Sequence, residues 1–568
     1  MNRNIINSKT MKQLLKQGSR KAKIVLLSVA LLTVSVMLSG YGSKNFEISK
    51  NLDIFSSLFR ELIVNYVDDI NVSEVMKTGI DEMLQTLDPY TNFIPESDIE
   101  DVRFMTTGQY GGIGALIQPR GEFVMIAEPY QGFPAYRAGL MPGDIILEVN
   151  GQSVRSRDEE QVRTLLMGQP GTSLSLLISR EGEESPRRLS LEREVVRIDN
   201  IPYFGMIGQT TAYVKLTGFT RNAGREVRDA LTQLQKEHDV ESVVIDLRNN
   251  GGGLMNEAVN IANLFLEKDR EIVRTKGRLQ ERESTHRTLN DPLEPDIPLA
   301  VLINRGSASA SEIVAGAIQD YDRGVIIGRR SFGKGLVQNV VPLSYNTQLK
   351  VTVAKYYIPS GRSIQSINYA ERREDGSVAA IPDTLQLPHQ TYGGRVVYDG
   401  GGIDPDLKVT QAFPGHLTQA LLSQFMIFDY ATWFRRQHES IAEAERFEIT
   451  DEIYQDFQNF ISGKDFRYQT RSEELLGRLA EATRDESYYE VLQPELERLR
   501  QNIVREKEQD LTNFRPEIEQ LLKEEIVSRY YYQMGRVKAS LDADPDVAEA
   551  LRVFADPGLY RGKLAGGK

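Results

Sequence analysis

Two short segments of this chain bring together residue types that could cleave an amide bond. The first is Asn304-Arg-Gly-Ser-Ala-Ser-Ala-Ser-Glu-Ile313, in which Ser309 stands just ahead of an amphipathic helical pattern. The second carries Lys334 and Gln338. A serine hydroxyl is a poor nucleophile at neutral pH and needs a base beside it. Lysine serves only when its amine is neutral, and burial among apolar groups lowers its pKa because desolvation disfavours the charged form. Phe332 before Lys334, and Leu336 and Val337 after it, suit such burial. On a strand, the even spacing from Lys334 to Gln338 places both side chains on one face. There the Gln338 amide oxygen would orient the amine without adding charge. The pattern is a serine activated by lysine, a recognised variant of triad logic that does without histidine.

Acyl transfer also needs fixed donors for an oxyanion. The N–H groups that open a helix are unpaired and point outward, which nominates Ala310. A second donor is expected from Asp246-Leu-Arg-Asn-Asn-Gly-Gly-Gly-Leu254, where the apolar run Val243-Val-Ile245 enters a three-glycine turn. Glycine lets the backbone approach a ligand closely. Gly252 is the leading candidate, with Gly251 and Gly253 beside it. Each signal alone is weak: Ser309-x-x-Glu312 also fits a helix capping box, and a triple glycine is usually a turn. Their joint occurrence beside strand and helix signals carries the reading. Gly328-Arg-Arg-Ser-Phe-Gly-Lys334 begins like a phosphate-binding loop. However, Gly335 stands where serine or threonine would hold magnesium, and Leu336-Val-Gln-Asn-Val-Val-Pro342 reads as a strand. No cofactor and no metal are implied. The five histidines, His238, His286, His389, His416 and His438, lie outside these segments, which weighs against a Ser-His-Asp peptidase.

With these residues in view, the chain resembles the carboxyl-terminal processing peptidases, also called tail-specific proteases. The resemblance rests on Gly306 to Glu312, Ser331 to Gln338, Asp246 to Gly253, Tyr357-Ile-Pro-Ser-Gly-Arg-Ser-Ile-Gln365 and Gly401-Gly-Ile-Asp-Pro-Asp406. It implies a serine endopeptidase with Ser309 as nucleophile, Lys334 as base and Gln338 as its partner. It also implies a PDZ domain that captures polypeptides by accessible, apolar C-termini and gates the cleft. Ala138-Gly-Leu-Met-Pro-Gly-Asp144 and Val149-Asn-Gly151 resemble such a domain. Tyr110-Gly-Gly-Ile-Gly114 then resembles its carboxylate-binding loop, comprising Tyr110, Gly111, Gly112, Ile113 and Gly114. Convergent backbone N–H groups there would hold an anion while the peptide pairs with the adjacent strand.

The remaining sequence must position these parts. A length of 568 residues implies several domains, and an apolar fraction of 40% allows ordinary cores. The fold class expected is multidomain α/β. Residues 1–43 read as an export signal or membrane anchor, 44–104 as an N-terminal helical segment and 105–195 as a β-rich PDZ-like domain. Residues 196–413 read as an α/β peptidase core with a surface insertion at 366–400, and 414–568 as a C-terminal helical domain. In the first segment, Lys12, Lys16, Arg20, Lys21 and Lys23 precede fifteen apolar-rich residues, Ile24 to Leu38. That run is short against the about 20 residues of a spanning helix. Cleavage near Ser39-Gly-Tyr-Gly-Ser43 and retention as an anchor both remain open. Tyr41 stands where a lipoprotein signal requires cysteine, and the positive flank directs the rest of the chain outward. The expected location is therefore periplasmic or on the outer face of the cytoplasmic membrane. Cysteine is absent altogether, which excludes disulfides and thiol chemistry. A net charge of −12 argues against a nucleic-acid partner. The C-terminal helices are expected to serve homo-oligomer formation or an adaptor protein, and Arg561 to Lys568 reads as a disordered tail.

Overall fold

The computed structural model describes residues 45–372, 378–410 and 414–565, so the export-signal reading lies outside the described residues. The chain divides into two compact units, residues 1–86 and 87–568. The first contains helical residues 45–65 and the helix Val72–Gln85, capped by the Asn71 side chain accepting from Glu74 N–H (3.3 Å). The helical segment expected over 44–104 is thus divided. From Leu87 the chain belongs to the second unit, where strand β1 (Asn92–Ile94) joins a sheet and Ile99–Thr107 forms a helix.

Six antiparallel strands build the PDZ-like domain, five in the order β2 (Ala115–Arg120), Phe123–Pro129, Ile145–Val149, Ser173–Ser179 and Arg187–Glu192, with Gln152–Ser153 pairing to Ile145–Val149. Leu174, Leu176 and Ile178 alternate inward, as a sheet with one buried face requires. Helix α1 (Glu159–Leu166) starts at an Asp158–Gln161 capping box and adds Val162 and Leu166 to that core. Beyond β2 no further strand pairs among the described residues, so β2 is an edge. A two-stranded ribbon, Gln109–Gly112 against Glu194–Arg197, joins this domain to the peptidase core.

The core sheet has six strands: Tyr203–Ile207, Thr211–Lys215, β3 (Ser242–Asp246), β4 (Leu299–Ile303), Val325–Gly328 and Leu407–Lys408. All pairs but the first are parallel. The middle strands, Ser-Val-Val-Ile-Asp, Leu-Ala-Val-Leu-Ile and Val-Ile-Ile-Gly, are buried throughout, because a parallel sheet is covered on both faces. Helices Ala223–Glu237, Met255–Ala262 and α2 (Ala310–Asp320) cover one face. A second, antiparallel sheet holds β5 (Leu336–Pro342) and β6 (Gln348–Tyr357), with β1 also pairing to β6 at Gln348–Lys350 and Glu271–Gly277 at Ala354–Tyr357.

The other face of the core sheet is covered by the end of the chain. Helix α3 (Arg515–Leu541) bends at Tyr532 (φ 56°, ψ −155°), and its last turns bring Val537 and Leu541 onto the sheet. Val547 and Ala550 of α4 (Pro545–Phe554) extend this cover, each buried aliphatic contributing about 1.5–3 kcal/mol for the larger side chains. The C-terminal region is therefore part of the peptidase fold as well as a helical domain. The disordered-tail expectation is corrected for its first residues: Arg561 to Leu564 close the helix Pro557–Leu564, which Asp556 caps and Tyr560 anchors by accepting from Leu299 N–H (2.9 Å), while Gly566 to Lys568 lie outside the described residues. The insertion 366–400 holds two antiparallel strand pairs, Ile367–Arg372 with Val378–Ala380 and Pro388–Gln390 with Val396–Tyr398, and it is tied to the core where Ser366 N–H donates to the Gly333 carbonyl (2.9 Å).

Candidate active site

Ser309 sits at the junction of the loop after β4 and α2, with φ 56° and ψ −112°. A capping serine ordinarily holds extended backbone, so capping alone does not account for this conformation. A residue with a Cβ stays in such a region only where its surroundings over-determine it. They do so here. The buried Glu312 carboxylate accepts from Ser309 N–H (2.8 Å), Lys334 N–H (2.9 Å), Gly333 N–H (2.7 Å) and the Ser331 hydroxyl (2.5 Å). Burial pushes its carboxyl up to about 7, against the opposing pull of those four donors. The buried Tyr356 hydroxyl reaches the carbonyls of both Ser309 (3.2 Å) and Lys334. The serine turn and the lysine loop are thus fixed to each other from both the N–H and the C=O side.

The glycine turn closes on the same serine. The Asn250 carbonyl accepts from Ala308 N–H (3.0 Å) and the Ser311 hydroxyl (2.9 Å), and the Leu247 carbonyl accepts from the Ser307 hydroxyl (2.8 Å). Of the three glycines, Gly252 lies against Ser309. A Cβ there would stand 2.8 Å from Ser309 Cβ and 2.9 Å from Ala310 N, at φ +99°. Gly253 packs on Phe219, and Gly251 faces open space. Gly252 N–H donates to Asn250 Oδ1 (2.9 Å). Ala310 is the first residue of α2, so its N–H is left open by the helix ladder.

Burial pulls the Lys334 amine down to about 8, with Lys350 adding to the fall and Asp88 and Glu312 opposing it. Its Nζ lies 4.2 Å from the centroid of the Tyr90 ring. The strand argument for Gln338 is corrected. Lys334 precedes β5, and the pairing of β5 with β6 shifts register between Val337 and Gln338, so even spacing does not relate the two side chains. Gln338 Nε2 donates to Thr352 Oγ1 (3.2 Å). The segment that begins like a phosphate-binding loop is followed by this strand and not by a helix.

An electrostatic anchor behind the glycine turn escaped the sequence reading. Buried Asp246 accepts from the Arg248 guanidinium, Lys215 Nζ (2.9 Å) and the Tyr213 hydroxyl (2.6 Å). These partners hold it well below the usual carboxylate range against the cost of burial. Arg248 continues to Asp544 (2.7 Å) and Asp546 (2.8 Å) at the start of α4. The sequence marks Asp544 as a helix start but gives no sign of a partner 296 positions away.

In the PDZ domain, Tyr110–Gly112 form part of the ribbon strand, so only Ile113 and Gly114 of the expected loop lie outside a strand. Strand pairing with Val195 and Val196, and the edge-on contact of Tyr110 with Phe104, draw these residues into extended backbone. Gly111 tolerates no Cβ, which would meet the Gly168 carbonyl at 2.1 Å. The edge strand β2 and helix α1 flank a pocket of about 210 Å³ lined by Phe104, Tyr110, Ile113, Ile117, Leu166 and Met167.

Comparison with known proteins agrees with this layout. The family pattern described as Peptidase family S41 matches residues 210–370. A PDZ domain pattern matches 125–180, and one described as "Probable PDZ-protease, C-terminal helical domain" matches 417–554. The Carboxy-terminal-processing protease of Bartonella bacilliformis is 33% identical over 346 residues, 60% of this chain and 79% of that protein. The Probable CtpA-like serine protease of Staphylococcus aureus (strain N315) is 28% identical over 453 residues, 77% of this chain and 87% of that protein. Among solved structures, the photosystem II D1 C-terminal processing protease is 29% identical, with 62% of this chain and 85% of that chain covered at a TM-score of 0.35. The chain belongs to peptidase family S41, as a carboxy-terminal-processing serine protease with a PDZ domain.

Proposed function

We propose that Ser309 and Lys334 perform the hydrolysis. The observation that carries this is the strained Ser309 turn, whose N–H shares the Glu312 carboxylate with the N–H of a lysine held near pKa 8. Neutral Lys334 takes the Ser309 Oγ proton as Oγ attacks the peptide carbonyl. The oxyanion receives Ala310 N–H and Gly252 N–H, the latter exchanging Asn250 Oδ1 for the new acceptor. Lys334 then returns its proton to the leaving amine. Water, deprotonated by Lys334, attacks the acyl-enzyme carbonyl, and Lys334 returns that proton to Ser309 Oγ as the ester bond breaks. Gln338 steadies the lysine side of the cleft through β5 and Thr352.

The substrates are polypeptides with accessible, apolar C-termini. A terminal segment pairs with the free edge of β2, its last side chain enters the pocket beside α1, and its carboxylate meets the backbone at Ile113 and Gly114. The basic and apolar run before residue 40 supports action on exported proteins, outside the cytoplasmic membrane. A fluorophosphonate probe, mapped by peptide mass spectrometry, tests the centre. Labelling of Ser309 that disappears in Lys334→Ala supports it. Equal labelling in both proteins contradicts a role for the lysine.

A further inference from the structure

We infer that the turn Asp88–Thr91, outside the region matching the peptidase family, is a working part of the active site, with Tyr90 as the positioning residue that shields and aims the Lys334 amine. The inference rests on the proposed role of Lys334. The turn is rigidly built. Buried Asp88 accepts from Tyr90 N–H (2.8 Å), Thr91 N–H (2.9 Å) and the Thr91 hydroxyl (3.1 Å). It runs straight into β1, whose Asn92 pairs with Lys350 on β6. Lys334 meets it directly, and Gln338 through Thr352. The Tyr90 ring lies under Lys334 Nζ, 4.2 Å from centroid to nitrogen. Gln338 donates to Thr352 Oγ1 (3.2 Å), and the Thr352 N–H donates to the Thr91 hydroxyl (3.2 Å). Tyr369 of the insertion stands edge-on to Tyr90 at 5.9 Å, with the hydroxyls 3.5 Å apart, and backs the ring.

The ring acts on the lysine in two opposed ways. Its face attracts a charged amine, whereas its bulk excludes water and favours the neutral one. Three charged groups act on Lys334 besides: Lys350 on β6, Asp88 in the turn and Glu312 on α2. Two of them favour the ammonium, yet the amine is held low and burial is the largest cause. Burial is thus the larger influence on the amine, and the Tyr90 ring, 4.2 Å from Nζ, forms part of what buries it.

The test compares Tyr90→Ala, Tyr90→Phe and Lys334→Ala with the parent full-length chain. The substrate is a fluorescein-labelled unfolded polypeptide ending in Leu-Val-Ala, followed across pH 6 to 10. In Tyr90→Ala the acid limb of kcat moves upward, toward the ordinary lysine value, and kcat at pH 7 falls by up to about ten-fold for each unit moved while KM changes little. Tyr90→Phe restores both the limb and the rate. A limb that stays in place or moves downward in Tyr90→Ala, or that Tyr90→Phe leaves displaced, overturns the inference. If Lys334→Ala retains activity, the proposed base falls and this inference falls with it. If Lys334→Ala is inactive while Tyr90→Ala titrates like the parent, only the role of Tyr90 is refuted.

Discussion

The acid limb of the pH–rate profile follows from where Lys334 sits. An ordinary lysine near 10.5 is only about 0.03% neutral at pH 7, whereas an amine at about 8 is about 9% neutral, a gain of about 300-fold in competent base. Below pH 8, kcat/KM should fall ten-fold per unit as the free enzyme's amine takes up its proton. Near pH 7 the slope should steepen, because Glu312 begins to protonate there and four donors then lose their carboxylate acceptor. The sharpest perturbation is Lys350→Gln. The Lys350 charge is the second cause holding Lys334 down, so its removal lets the amine rise. The limb then shifts to higher pH and activity at pH 7 drops, while the plateau above the limb is unchanged. Continuous fluorescence of a quenched peptide from pH 6 to 10, at low salt to limit screening, measures both profiles. A parent limb centred below pH 6, or a Lys350→Gln limb displaced downward, refutes the assignment of that limb to Lys334.

Other expectations follow from the same contacts. Gly252→Ala places a Cβ 2.7 Å from the Ala308 carbonyl at φ +99°, so kcat should fall by about 10²-fold or more in a chain whose circular dichroism is unchanged. Glu312→Ala leaves the buried Gly333 N–H and the part-buried Ser309 and Lys334 N–H groups without their acceptor, at about 1–3 kcal/mol for the buried one, and should lower the thermal midpoint and abolish probe labelling together. Asp546→Ala removes one of the three carboxylates that pair with Arg248 and should cost about 1.5–3 kcal/mol, read as a fall in the urea midpoint. Ile117→Asp puts a charge into the β2 pocket and should raise KM for polypeptides ending in apolar residues with little change in kcat on a short peptide, measured by parallel steady-state kinetics.

The chemistry was legible wherever it is written in local sequence. Val243 to Ile245 entering three glycines, and Leu299 to Ile303 preceding Ser309, name two buried strands and the turns that end them, because a short unbroken apolar run bounded by glycine or serine reads as a buried strand. The β-rich character of residues 105–195 was legible in short apolar-rich runs such as Ile145–Val149. The sequence hid what depends on distant pairing. Even spacing from Lys334 to Gln338 misled, since a bulge between Val337 and Gln338 breaks the two-residue period and Lys334 lies before the strand. Nothing local to Leu87-Asp-Pro-Tyr-Thr-Asn92 says that Tyr90 will meet Lys334, because that contact depends on β1 pairing with β6 more than 250 positions later. The helices after Pro545 gave only a surface-like charge pattern, yet they close the core sheet and hold Arg248.

Incubating the parent chain, Ser309→Ala and Lys334→Ala with an unfolded polypeptide ending in apolar residues, and reading the products by intact mass, tests the central claim most directly. Cleavage by the parent alone is the predicted result. Equal cleavage by Ser309→Ala would reduce Ser309 to a helix cap and contradict the account.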